Sequence, residues 1–102
     1  MKEFSFAVAA CCISGVAAAE FDIAAHCREV ASFGGSHSYS LEKSCRQMEE
    51  AAKKRVAKIE DKVPGSVLAH CDGVASFGGP GSYSLMESCI KMEMDAKKQL
   101  RY

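Results

Sequence analysis

Six cysteines in a chain of 102 residues, two of them directly preceded by histidine, carry most of the chemistry this sequence could offer. A cysteine acts as a thiolate nucleophile, as a metal ligand or, once oxidised, as a cross-link. The dipeptides His26-Cys27 and His70-Cys71 raise a metal site first, since imidazoles and thiolates are the donors zinc takes. Neighbours on a helix point roughly 100° apart, so one dipeptide cannot easily give two ligands to the same ion. Cys27 and Cys45, like Cys71 and Cys89, also lack the short C-x-x-C spacing of structural zinc sites and of thiol–disulfide catalysts. Metal binding at His26 and His70, or thiol redox, stays as the alternative reading. Disulfides are the expected state, with no cofactor. Met48 and Met92 fall on an apolar helix stripe and read as core rather than as soft-metal ligands, while Met94 lies off that stripe. No nucleophile elbow, H-E-x-x-H motif or paired carboxylates occur, so the chain reads as non-enzymatic.

Disulfides require an oxidising compartment, and the first segment reads as the route to one. Residues 1–19 combine Lys2, an uncharged Ala-rich run from Phe4 and a terminal Ala17-Ala18-Ala19. Small residues at the −3 and −1 positions are what signal peptidase accepts, which predicts cleavage after Ala19. The apolar run falls short of the ~20 residues that cross a bilayer, so no stable membrane insertion is expected after cleavage. Val8-Ala9-Ala10-Cys11 resembles a lipobox, but Cys11 comes too early for a full apolar lead-in. Removal of Cys11 and Cys12 leaves four cysteines, an even number that an oxidised protein can pair completely.

The rest of the chain is one unit used twice. HCREVASFGGSHSYSLEKSCRQM at 26–48 returns as HCDGVASFGGPGSYSLMESCIKM at 70–92, at a constant offset of 44 residues. A fixed period of this length marks a repeated supersecondary unit. We therefore divide the chain into a signal peptide (1–19), a first repeat (20–63) and a second repeat (64–102).

Each repeat reads as a helical hairpin. Asp22 is a candidate N-cap, and Ile23, Cys27, Val30 and Ala31 follow at helical spacing. Gly34-Gly35 stops that helix, and Ser38 or Ser40 caps the next. Leu41, Cys45, Met48, Ala52, Val56, Ile59 and Val63 form one continuous stripe, expected to be the packing face. Glu42/Arg46, Glu49/Lys53 and Glu50/Lys54 stand opposite it as i,i+4 pairs on a solvated face. In the second repeat Val67, Cys71, Val74 and Ala75 match the first helix. Ser84 with Glu87 reads as a capping box ahead of Leu85, Cys89, Met92, Ala96 and Leu100. The expected fold is all-α: two disulfide-stapled helical hairpins packed as a small four-helix domain along the Leu, Met and Val stripe.

Spacing alone leaves three ways to pair four cysteines. The hairpin decides among them. Cys27 and Cys45 are equidistant from Ser36 at the turn, and Cys71 and Cys89 from Pro80, so each pair sits at one height on antiparallel helices of equal rise. The prediction is Cys27–Cys45 and Cys71–Cys89.

What remains is the pair of turns, FGGSHSY and FGGPGSY. Phe33, Tyr39, Phe77 and Tyr83 either seal the hairpin ends or form a two-fold-like binding surface for an envelope protein or glycan. Lys plus Arg and Asp plus Glu are both 13, which excludes the basic excess that nucleic acid attracts.

The order Cys, Val-Ala, a G-G-S-Y-like turn, a second Cys, then Met-Glu and Ala-Lys covers Cys27–Lys54 and Cys71–Lys98. It resembles a motif of small exported proteins from Gram-negative bacteria and their mobile elements. The second copy departs from it at Pro80-Gly81, where the first has Ser36-His37. The resemblance implies a periplasmic or secreted, disulfide-linked helical hairpin protein, and it carries no catalytic residue across.

Overall fold

A computed structural model of the chain describes residues 20–102; the expected signal peptide, its cleavage site and Cys11 lie outside the described residues. Four α-helices follow: α1 (Ile23–Ala31), α2 (Tyr39–Ile59), α3 (Gly65–Ala75) and α4 (Tyr83–Leu100), with a 3-10 turn at Glu60–Lys62 between the repeats. No strand occurs among the described residues. α1 packs on α2 and α3 on α4, giving two hairpins, and α2 packs against α4 to join them.

The ends of these helices are set by their own side chains. Asp22 accepts from the Ala25 amide, Ser38 from Leu41 and Ser82 from Leu85, so each N-cap satisfies an amide that has no helical partner. The second cap is therefore Ser82 and not the Ser84–Glu87 box that the sequence suggests, because Glu87 is engaged elsewhere. α1 ends at Ala31 with Ser32 as its C-cap, earlier than Gly34-Gly35. α2 ends at Ile59, short of Val63, where the chain tightens into the 3-10 turn ahead of Pro64.

Two bridges staple the hairpins as predicted, Cys27–Cys45 and Cys71–Cys89, each with Cα atoms 5.5 Å apart. Such an approach is possible because the inward neighbours are small. Ala31 and Ala75 each stand one turn beyond the buried Cys27 and Cys71, and both are themselves buried.

The core departs from the expected stripe. It consists of Val56, Val63, Cys71, Ala75, Met86 and Ile90, with Phe21, Ile59, Val67, Leu68 and Met94 packed around it. Leu41, Met48, Leu85 and Met92 are exposed. Ala52 and Val56 of α2 are buried as expected, but α4 turns a different side inward. Tyr83, Met86, Glu87 and Ile90 share one face of α4, while Leu85, Cys89 and Met92 lie well over a quarter turn away at roughly 100° per residue. The two hairpins thus meet through non-equivalent faces, and Met94 belongs to the inward one.

Neither hairpin reaches the size at which a core alone stabilises a fold, and each bridge closes a loop between residues 18 apart. Loops of that length are worth on the order of 3 kcal/mol per bridge. Reduction and alkylation are expected to abolish the cooperative melt seen by circular dichroism. A reduced protein that melts as sharply as the oxidised one would show that packing alone suffices.

Candidate functional site

The residue that organises the contact between the repeats is Glu49, in the middle of α2. Its sequence context, Glu49 four before Lys53, reads as a solvated ion pair, yet it is 3% exposed. The carboxylate lies across the N-terminus of α4. Oε1 accepts from the Tyr83 amide at 2.6 Å, and Oε2 accepts from the Ser82 hydroxyl at 2.9 Å and the Ser84 amide at 3.3 Å. Ser82 Oγ in turn accepts from the Leu85 amide at 3.2 Å. The first three free amides of α4 are thereby satisfied, and the negative charge sits at the positive end of the helix dipole. His26 Nε2 stands 3.9 Å from Glu49 Oε2.

Around that carboxylate the second turn is inserted into the first repeat. The Phe21 amide donates to Tyr83 Oη at 3.0 Å, and the two rings meet at a tilt of 52° with 4.9 Å between centroids. Lys53 Nζ stands 5.7 Å from the Tyr83 ring centroid, on its face. Gly81 has φ +94°, and a Cβ there would lie 2.5 Å from Phe21 Cδ1, so only glycine lets the turn approach this closely. Further along the joint, Arg55 of α2 donates from Nε (2.6 Å) and Nη2 (3.0 Å) to the two carboxylate oxygens of Glu87. That bidentate bond holds the Glu87 carboxyl below the usual glutamate range, against the opposing effect of desolvation, with Lys91 adding a weaker pull. The Arg55 guanidinium is held above its ordinary value by the same contact.

The residues singled out in the sequence separate into three groups. The four cysteines are cross-links, with Cys27 and Cys71 fully buried. His26 and His70 each stand beside a carboxylate, His70 Nε2 lying 3.7 Å from Glu93. No three His, Cys, Asp or Glu side chains converge as a metal site requires among the described residues. The turn aromatics are not a two-fold pair. Phe33 and Phe77 are 92% and 91% exposed, but Tyr39 is 81% exposed whereas Tyr83 is only 3%. Tyr83 is structural because the first repeat grips it, and it is not available to a partner. His37, which has no counterpart, links Ser32 Oγ at 3.0 Å to Glu42 Oε1 at 2.8 Å. Glu42 also accepts from Arg46, and that bond above all holds its carboxyl below the usual glutamate pKa range.

Large apolar side chains stand exposed at equivalent places in both repeats: Val30 and Val74, Phe33 and Phe77, Leu41 and Leu85, Met48 and Met92. Val30 and Val74 stand in α1 and α3, Phe33 and Phe77 in the turns, and the Leu and Met pairs in α2 and α4. No helix among the described residues is long and apolar enough to cross a membrane. The two formed bridges fit an oxidising, extracytoplasmic environment. Comparison with known proteins finds no family model, no curated protein and no solved structure that matches the chain.

Two predictions follow from the joint. Glu49→Ala removes the acceptor for two buried amides and a hydroxyl and is expected to cost on the order of 2–3 kcal/mol in urea unfolding. Glu93→Ala, at the equivalent position of the second repeat, is expected to stay within about 0.5 kcal/mol; equal costs would remove Glu49 from its organising role. Acid should also weaken the joint. Because Glu87 titrates lower in the folded chain than in the unfolded one, its contribution is complete above about pH 4.3, the ordinary glutamate value. It declines below that and is lost as the pH falls through the lowered folded value. Melts taken from neutral pH to about pH 3 should fall more steeply for the parent protein than for Glu87→Gln.

Proposed function

We propose that this is a small exported, non-catalytic binding module, an accessory protein of the bacterial envelope that engages a protein partner through the apolar ridge each hairpin presents. The observation that carries this reading is the eight large apolar residues left exposed at equivalent positions of the two repeats. Large apolar side chains repeated at the surface of a small fold are costly unless something covers them, and flexible Met48 and Met92 suit a surface that must adapt to a partner. A repeated ridge gives two weak sites whose combined grip exceeds either alone.

Export is supported by the reading of residues 1–19 as a signal peptide and by the two bridges, which fit a periplasmic or secreted destination. The resemblance to small exported proteins of Gram-negative bacteria points the same way. An apolar ridge favours a protein over a glycan as partner. The alternative of metal or thiol-redox chemistry has less support, since the four cysteines are engaged in bridges and each repeated histidine faces a carboxylate.

Phe33→Ser combined with Phe77→Ser is the direct test. Cross-linking in envelope fractions should capture one dominant partner with the parent protein and lose it, by about tenfold or more, with the double variant. The melt and both bridges should be unchanged. Undiminished capture by the variant would move the binding surface away from these ridges.

A further inference from the structure

The contact between the repeats is head-to-tail: the body of the first holds the turn of the second. Its two ends are therefore left over. Among the described residues, the second repeat has a body that holds no turn, and the first has a turn that no body holds. Both leftover parts keep the groups that make the internal contact. On the body side Glu49, Lys53 and His26 recur as Glu93, Lys97 and His70, and His70 stands by Glu93 at 3.7 Å as His26 stands by Glu49 at 3.9 Å. On the turn side Ser82-Tyr83-Ser84 recurs as Ser38-Tyr39-Ser40. The amides of Tyr83 and Ser84 end on Glu49, whereas those of Tyr39 and Ser40 have no acceptor among the described residues.

The substitutions between the copies are complementary. In the internal contact the body supplies a ring, Phe21, against Tyr83, and the turn makes room for it with Gly81. In the leftover parts the sizes are exchanged. The body has Gly65 in place of Phe21, and the turn has His37 in place of Gly81. His37 packs edge-on against Tyr39 at 4.8 Å, so this tyrosine carries its own aromatic neighbour. Glu29, which lies near Gly79 of the inserted turn, is likewise replaced by Gly73, and a shallow depression lined by Ala69, His70, Gly73, Val74 and Phe77 opens there.

We propose that the first turn of one copy, Gly34–Ser40, docks on the Glu93 face of a second copy, with Glu93 accepting the Tyr39 and Ser40 amides. The contact is heterologous, so it builds a ring or an open chain of copies. It is weaker than the internal joint, because Met86 and Ile90, which bury there, are replaced by the ion-paired Glu42 and Arg46. Association is therefore reversible and driven by concentration. Val74 and Phe77 line the shallow depression as well as the apolar ridge, but Glu93 and Tyr39 lie outside the ridge, so variants of these two test this contact separately.

Sedimentation equilibrium of the purified protein tests it. The parent should associate as its concentration rises, and Glu93→Ala and Tyr39→Ala should each weaken association by about tenfold or more. Tyr39 is exposed and Glu93 half-exposed, so both variants should keep the parent melt. Mixing the two variants is the decisive arm. The intact turn of Glu93→Ala meets the intact face of Tyr39→Ala, which restores one contact and stops at a dimer. A monomer at every concentration, association indifferent to both substitutions, or a mixture no better than its components would overturn the proposal.

Discussion

A carboxylate taken out of water is tolerated only where other groups replace its hydration, and Glu49 meets that condition in one arrangement. Two amides and a hydroxyl at the start of α4 converge on it. Those donors come from the other repeat, so satisfying this one group sets how the hairpins sit. The second turn has to enter far enough for its amides to reach the oxygens, which brings Tyr83 under Phe21 and forces glycine at position 81. Val56, Met86 and Ile90 then pack in the apolar cluster along the rest of the joint, and Arg55 bonds Glu87 beside it. Apolar packing provides the stabilisation here, while the buried charge provides the register.

Sequence duplication has produced two units that are alike in outline and unlike in role. The positions where they differ are informative. Met86, Ile90 and Met94 stand where the first repeat has Glu42, Arg46 and Glu50. The apolar set faces the joint, and the polar set covers the matching face of the first repeat, where no other described residue of the chain packs in a core.

That comparison also explains what could be read from the sequence and what could not. Helix caps depend on a few neighbouring residues, and the bridges follow from the rise of two antiparallel helices, so Asp22, Ser38 and both cysteine pairs are legible from local chemistry. The rotation of α4 is not local. Leu85, Cys89 and Met92 make as good a stripe as Met86, Ile90 and Met94, and only the partner helix decides between them. Glu49 is hidden for the same reason: four residues before Lys53 it looks like any surface pair, and its acceptor role depends on a turn 34 residues away. The available clue lay in the differences between the copies rather than in what they share.

Among the described residues each cross-link closes within its own hairpin, and none spans the two. The halves are therefore joined covalently by a single length of backbone through Glu60–Lys62 and Pro64. A unit that carries its own cross-link can be copied, lost or moved as a whole without stranding a cysteine. Adding or removing one such unit would leave an even number of cysteines to pair within the hairpins. What limits the number of units is then the chemistry of the end faces, where a few substitutions decide whether one more hairpin can be received.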